Sequence, residues 1–183
     1  MVRFHGDIRR GDLCGSESSR IYLHIFEVNM NGNLHSVPVC ELQVGYDLCP
    51  NVSLSEIVRQ VRLAVAFTAR KFPGHRLVIA GHSAGGHLGA MALATDWSAG
   101  GLLPELATEH LAGLPVLAGA LLVSGVFDLE PIRLSENNKP LGMDQAEAVA
   151  NSPLSSELVA AVARSGAQVS LSWISSHEYT IVI

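Results

Sequence analysis

The sequence predicts an α/β fold, a mostly parallel sheet with helices on both faces. Three observations lead there. Short all-apolar runs, at residues 77–80 and 118–124, alternate with longer segments whose apolar residues recur at helical spacing. Helix-start signals fall between those runs, the order expected of strands joined by crossover helices. The 183 residues, 48% hydrophobic and 16% charged, also give a single domain enough apolar side chain to fill a core.

Residues 1–38 form an irregular N-terminal part. Turn-like clusters such as Arg9-Arg10-Gly11-Asp12 and Asn29-Met30-Asn31-Gly32-Asn33 surround one apolar hexad at 21–26. From residue 39 to 174 the pattern becomes orderly, beginning with a strand over 39–46. Ser53-Leu54-Ser55-Glu56 reads as a capping box, in which the serine hydroxyl and the glutamate three residues on satisfy free N–H groups. The helix it opens carries Leu54, Ile57, Val58, Val61 and Val65 on one stripe, with Arg59, Arg62 and Arg70 off it, and Pro73-Gly74 closes it. The run 77–80 predicts a strand covered on both faces, and a second helix starts near 83–85 and continues through Ala94. A third buried strand follows at 118–124. Asp144-Gln145-Ala146-Glu147 is a second capping box, and Ser152-Pro153 starts a helix over 154–165 that Gly166 terminates. The last predicted strand is 169–174.

Composition excludes several classes. A formal net charge of −5 leaves no basic excess to track phosphates, so neither nucleic acid nor an anionic membrane is an expected partner. Three scattered cysteines, Cys14, Cys40 and Cys49, make neither a disulfide framework nor a zinc-spaced cluster, and they predict reduced thiols in the cytoplasm. The first residues lack the apolar stretch of a signal peptide. The longest stretch free of both charged residues and histidine, 111–127, carries Pro115 and three glycines and is shorter than the ~20 residues of a spanning helix.

One motif carries chemistry. Gly81-His82-Ser83-Ala84-Gly85 matches G-x-S-x-G directly after a predicted strand and directly before a predicted helix. In that context the turn is tight enough to strain the serine backbone, and only small neighbours fit. Ser83 is then the nucleophile, and the N–H of Ala84, at the helix start, stabilises an oxyanion. The plainer reading is a glycine-rich turn whose serine merely caps the helix.

Four blocks in order, Tyr46-Asp47-Leu48-Cys49-Pro50, Gly81 to Leu88, Ser124 to Ile132, and Asn151-Ser152-Pro153-Leu154, resemble kynurenine formamidase (arylformamidase). The resemblance covers roughly residues 39–164. It implies an α/β-hydrolase fold and hydrolysis of N-formylkynurenine to kynurenine and formate in tryptophan catabolism. It also implies no metal or organic cofactor, a small-molecule substrate, and Ser83 as nucleophile.

The chain departs from that pattern in three places. A serine hydrolase needs an acid and a histidine behind the serine, in the order Ser, acid, His. The acid candidates are Glu178, just past the last predicted strand, and Asp128, which follows a strand end. The base is unassigned: His82 and His87 belong to the elbow block, His75 precedes the strand, His110 lies in a polar connection, and His177 adjoins Glu178. The family's His-Gly-Gly-x-Trp oxyanion loop has only two echoes, His5-Gly6-Asp7 and Ile21-Tyr22-Leu23-His24, the second continuing into Ile25-Phe26. The expectation is a truncated α/β-hydrolase, altered at both ends, with exposed apolar surface that favours homodimers or self-association. Two alternatives stand beside it: a small-ester carboxylesterase on the same scaffold, and a non-catalytic binding or dimerisation module.

Overall fold

A computed structural model describes residues 21–26, 40–97, 117–153, 160, 168–173 and 179–182, the last two stretches by their backbone. The fold is α/β. Its six-stranded sheet has the order β2-β1-β3-β4-β5-β6, with β1 Ile21–Phe26, β2 Cys40–Val44, β3 Arg76–His82, β4 Gly119–Val123, β5 Gln168–Trp173 and β6 Tyr179–Val182. The long helices are α1 Leu54–Lys71 and α2 Ala84–Leu93, and three short ones come after β4: α3 Glu130–Arg133, α4 Asn138–Leu141 and α5 Gln145–Ala150.

The sheet is mixed, which corrects the expectation of a mostly parallel one. Only the β3–β4 and β4–β5 pairings are parallel, while β1 runs antiparallel to both its neighbours and β6 antiparallel to β5. The apolar hexad inside the irregular N-terminal part is an interior strand, and Tyr179–Val182 adds a strand beyond the last one predicted. A hexad flanked by turn residues carries no signal of direction, because its partners lie some 20 to 60 residues on: Ile21 pairs with Val44 and with Gly81.

Helix α1 forms as its stripe predicts. Ile57, Val58, Val61, Ala64 and Val65 join the core with Ile21, Leu23 and Ile25 of β1 and Leu77 and Ile79 of β3. Ser53 caps it through Oγ, which accepts from the N–H of Glu56 at 3.2 Å. The glutamate half of the expected capping box does not close: the Glu56 carboxylate instead takes a two-pronged bond from Arg59, at 2.8 Å from both Nε and Nη2. That pairing holds its carboxyl down at about 2. The guanidinium is the stronger donor, so it outcompetes a neutral backbone N–H.

Helix α2 is built almost entirely of small and apolar residues, and Gly85 through Leu93 are all buried. Its Gly89 lies against Leu122 of β4 and Ile79 of β3. Helices α1 and α2 thus share the core on one face of the sheet. On the other face Val78 and Ala80 of β3 are half-buried, and Leu121 of β4, which pairs with Ala80, is 44% exposed. Among the described residues, then, only one face is covered by helices, against the expectation of two. The helix predicted over 154–165 lies outside the described residues, apart from Ala160.

Candidate functional site

Strands β3, β4 and β5 run parallel, so their carboxyl ends share one edge of the sheet. In α/β sheets this is the edge where ligands bind. Ser83 stands there, between the last residue of β3 and the first of α2. Its backbone sits at φ 54° and ψ −116°, a region that costs a non-glycine residue roughly 1–3 kcal/mol. The surroundings hold it. The N–H of Ser83 donates to the carbonyl of Val123 on β4 at 2.9 Å, and its own carbonyl accepts from the N–H of His87 at 3.1 Å.

The close packing explains the glycines. A Cβ on Gly81 would fall on the carbonyl of Gly85 and 2.9 Å from the N of Gly86, while one on Gly86 would come within 2.9 Å of Gly125 Cα. The second and third sequence blocks therefore meet backbone to backbone at this edge. Ser124, the residue after β4, also has a positive φ, 48°.

The serine side chain does not cap α2, so the plainer reading of the motif fails on geometry. Ala84 is the first residue of α2, and its N–H is one of the four that a helix leaves without an internal partner.

The other candidate residues fare differently. The Asp128 carboxylate accepts from the N–H of Glu130 at 3.0 Å, an Asx-type turn that leads into α3. Glu178, His177 and His110 lie outside the described residues, as does His5. The chain does leave β5 at Trp173 and enter β6 at Tyr179 on the edge where Ser83 stands. His75 is at the opposite end of β3, which is an interior strand. His82 is exposed at the end of β3. The Ile21–Phe26 echo of the oxyanion loop is corrected by its register. Antiparallel β1 places Ile21 opposite Gly81 and Phe26 opposite Arg76, so the chain leaves β1 at the edge away from Ser83.

His87 is a packed helix residue, 4% exposed. Its Nε2 lies 2.7 Å from the carbonyl of Asn151. A carbonyl only accepts, so Nε2 carries a proton. Burial pushes its pKa below the usual histidine value, against the opposing pull of that hydrogen bond. The sign comes from linkage: between the lowered native value and about 6.5 the unfolded chain binds the extra proton, so stability falls as pH drops below about 6.5. Urea midpoints measured from pH 7.5 down to 5 are expected to decline, and less steeply in His87→Gln. An unchanged slope in that variant would assign the decline to other groups.

Sequence reasoning missed the polar cluster behind His87. Asn151, 4% exposed, donates from Nδ2 to Ser55 Oγ at 3.0 Å and to the carbonyl of Glu147 at 2.9 Å. Both the N–H and the hydroxyl of Ser55 donate to Glu147 Oε1, at 3.0 and 2.9 Å. Ser152 Oγ accepts from the N–H of Leu129 at 3.0 Å and donates to the carbonyl of Ala148 at 2.7 Å. The first block is tied in separately: Gln60 and Asp47 exchange two hydrogen bonds at 2.9 and 3.0 Å. Asp144 caps α5 through the N–H of Glu147 at 2.7 Å, as predicted, but the glutamate half of that box reaches Ser55 instead. The signal was present, since Asn151-Ser152-Pro153 is one of the four blocks, but nothing local shows which residues it meets.

Among the described residues no group of three or more His, Cys, Asp or Glu side chains is placed to hold a metal ion. No described helix is long and apolar enough to cross a membrane.

Fold and site together define an α/β protein with a strained serine turn at the carboxyl ends of its parallel strands. Comparison with known proteins narrows this further. The chain is similar to the kynurenine formamidase of Salmo salar, 39% identical over 116 residues, 63% of this chain and 36% of that protein. It is also similar to the kynurenine formamidase of Danio rerio, 38% identical over 111 residues, 60% of this chain and 34% of that protein. Among solved structures it resembles a provisionally described thioesterase from Silicibacter sp. TM1040, with a TM-score of 0.54, 32% identity, and coverage of 74% of this chain and 45% of that one. No protein-family model matches. The chain spans about a third of the length of the curated relatives it matches. Over that part it is similar to kynurenine formamidase, as the four sequence blocks indicated.

Proposed function

We propose that this chain carries the nucleophile half of a serine hydrolase of the kynurenine-formamidase kind, on an α/β-hydrolase scaffold. The observation that carries the reading is Ser83, held at positive φ between β3 and α2 with its hydroxyl not used as a cap. The substrate is an aryl formamide. Ser83 Oγ adds to the formyl carbonyl, and the Ala84 N–H receives the developing oxyanion. Collapse expels the aryl amine, which takes up a proton, and leaves a formyl ester on Ser83. Water then adds to that ester, releasing formate and restoring the serine. Glu178 and Asp128 are the acid candidates; Glu178 immediately precedes β6, which starts at the edge where Ser83 stands. No histidine is assigned as base, because His87 is already bonded to Asn151 and His75 lies at the wrong end of β3. The free Cys40 and Cys49 fit a reducing compartment such as the cytoplasm.

The test is a fluorophosphonate probe on the full chain, with the modified residue mapped by peptide mass spectrometry. Turnover of N-formylkynurenine is compared in parallel with that of a short acyl ester. Modification at Ser83 and faster formamide than ester turnover are expected. Faster ester turnover would make the chain a carboxylesterase. A folded protein left unmodified at Ser83 would leave a binding or dimerisation module in place of an enzyme.

A further inference from the structure

The Ser83 turn has little of its own to hold it. Its backbone is strained, its side chain gives no cap, and the next two positions after Ala84 are glycines, which favour the unfolded chain over a helix. Yet the turn ends on a hydrogen-bond chain that crosses three helices, buried at His87 and Asn151 and reaching the surface at Ser55. Glu147 of α5 accepts two bonds from Ser55 of α1, and Ser55 Oγ accepts from Asn151 Nδ2 just after α5. The Asn151 carbonyl accepts from His87 Nε2 on α2, and the backbone N–H of the same residue makes the first i→i−4 bond of that helix, to the carbonyl of Ser83. The links join residues 64 and 96 positions apart in sequence.

We propose that Glu147, Ser55 and Asn151, acting through His87, are positioning residues that hold the Ser83 turn in its strained conformation. The proposal rests on Ser83 being the working serine only for its consequence in catalysis; its structural content stands apart. The chemistry of the links favours this role over simple filling. An apolar side chain at 87 would pack against the same neighbours but would leave the Asn151 carbonyl without its buried donor. Glutamine at 87 keeps an N–H near the place of Nε2. The chain also ties the second sequence block to the fourth, and the Ser152–Leu129 bond ties the fourth to the third, so three blocks converge behind one serine.

The experiment is hydrogen exchange, read by mass spectrometry on the full chain, for His87→Leu, His87→Gln and the core variant Val65→Ala, compared at urea concentrations of equal residual stability. His87→Leu is expected to speed exchange across residues 83–87 by about tenfold, the scale of one lost buried hydrogen bond. The interior amides of β1 and β3 stay protected, and His87→Gln restores most of the loss. Ser55→Ala, a milder cut in the same chain, gives the same direction at smaller size and serves if His87→Leu does not fold. Equal loosening of 83–87 in Val65→Ala, or none in the His87 and Ser55 variants, overturns the proposal. Fluorophosphonate labelling run alongside keeps the two readings apart. A wild-type chain that takes no label sinks the hydrolase assignment, while the exchange pattern still decides whether the relay holds the turn.

Discussion

Ser83→Ala is expected to bring fluorophosphonate labelling and formamide turnover to background while leaving the fold as stable as before. The chemical loss should be at least about 10³-fold, and larger where the serine works as a unit with base and acid. The stability half of the expectation is what makes the variant decisive. A serine that caps a helix through its side chain costs about 1 kcal/mol when replaced by alanine, but the Ser83 hydroxyl makes no such bond. Alanine at φ 54° is also no more strained than serine, so the change should stay within about 0.5 kcal/mol. Ser83→Gly should go further and raise stability by about 1 kcal/mol, because glycine adopts this conformation without a Cβ clash. Activity and stability would then move in opposite directions at one position, the pattern of strain retained for chemistry. Unfolding midpoints and labelling of the three proteins check this together. A destabilised Ser83→Ala that still takes label would make the residue a cap and return the motif to its plainer reading.

Gly81→Ala is expected to be the most damaging single methyl that can be added near the site. The new Cβ would meet the Gly85 carbonyl and the Gly86 nitrogen, all backbone, in a turn fixed at its two ends by β3 and α2. Overpacking typically costs 1–3 kcal/mol where side chains can yield, so here about 3 kcal/mol or more is expected, against a usual total of about 5–15. Gly89→Ala, in the helix that follows the turn, supplies the control. Its Cβ would come within 2.7 Å of Leu122 Cδ2, the flexible end of a side chain that can turn away, and alanine improves helix propensity. The expected order of urea midpoints is Gly89→Ala well above Gly81→Ala. Equal midpoints would mean that the elbow is looser than its contacts indicate.

These two variants probe the part of the site that was legible in the sequence. A tight strand-turn-helix with a nucleophile can be read from five residues, because glycine spacing, the apolar run before it and the helical run after it are all local. The α1 stripe was legible for the same reason, and Ile57, Val58, Val61 and Val65 are buried as its period requires. The two capping boxes were half legible. Ser53 and Asp144 bond as predicted, but their glutamates were free to choose partners, and they chose Arg59 and Ser55. Asp128 shows the converse. Its place after a strand end made it an acid candidate, and its carboxylate is bonded to the N–H two residues on.

By itself, then, the sequence determined the periods, the helix starts and the strained serine, since each is fixed by neighbours within a few residues along the chain. Four blocks of such residues also sufficed to indicate kynurenine formamidase, and the relatives bear that out. Only the tertiary structure decided which way β1 runs, which face of the sheet α1 and α2 cover, and what His87 does. Strand direction depends on which edge of β3 the hexad reaches, and its apolar pattern serves either direction equally. His87 could have faced Ser83 or the core. A carbonyl 64 residues away, buried and in need of a donor, settled its place.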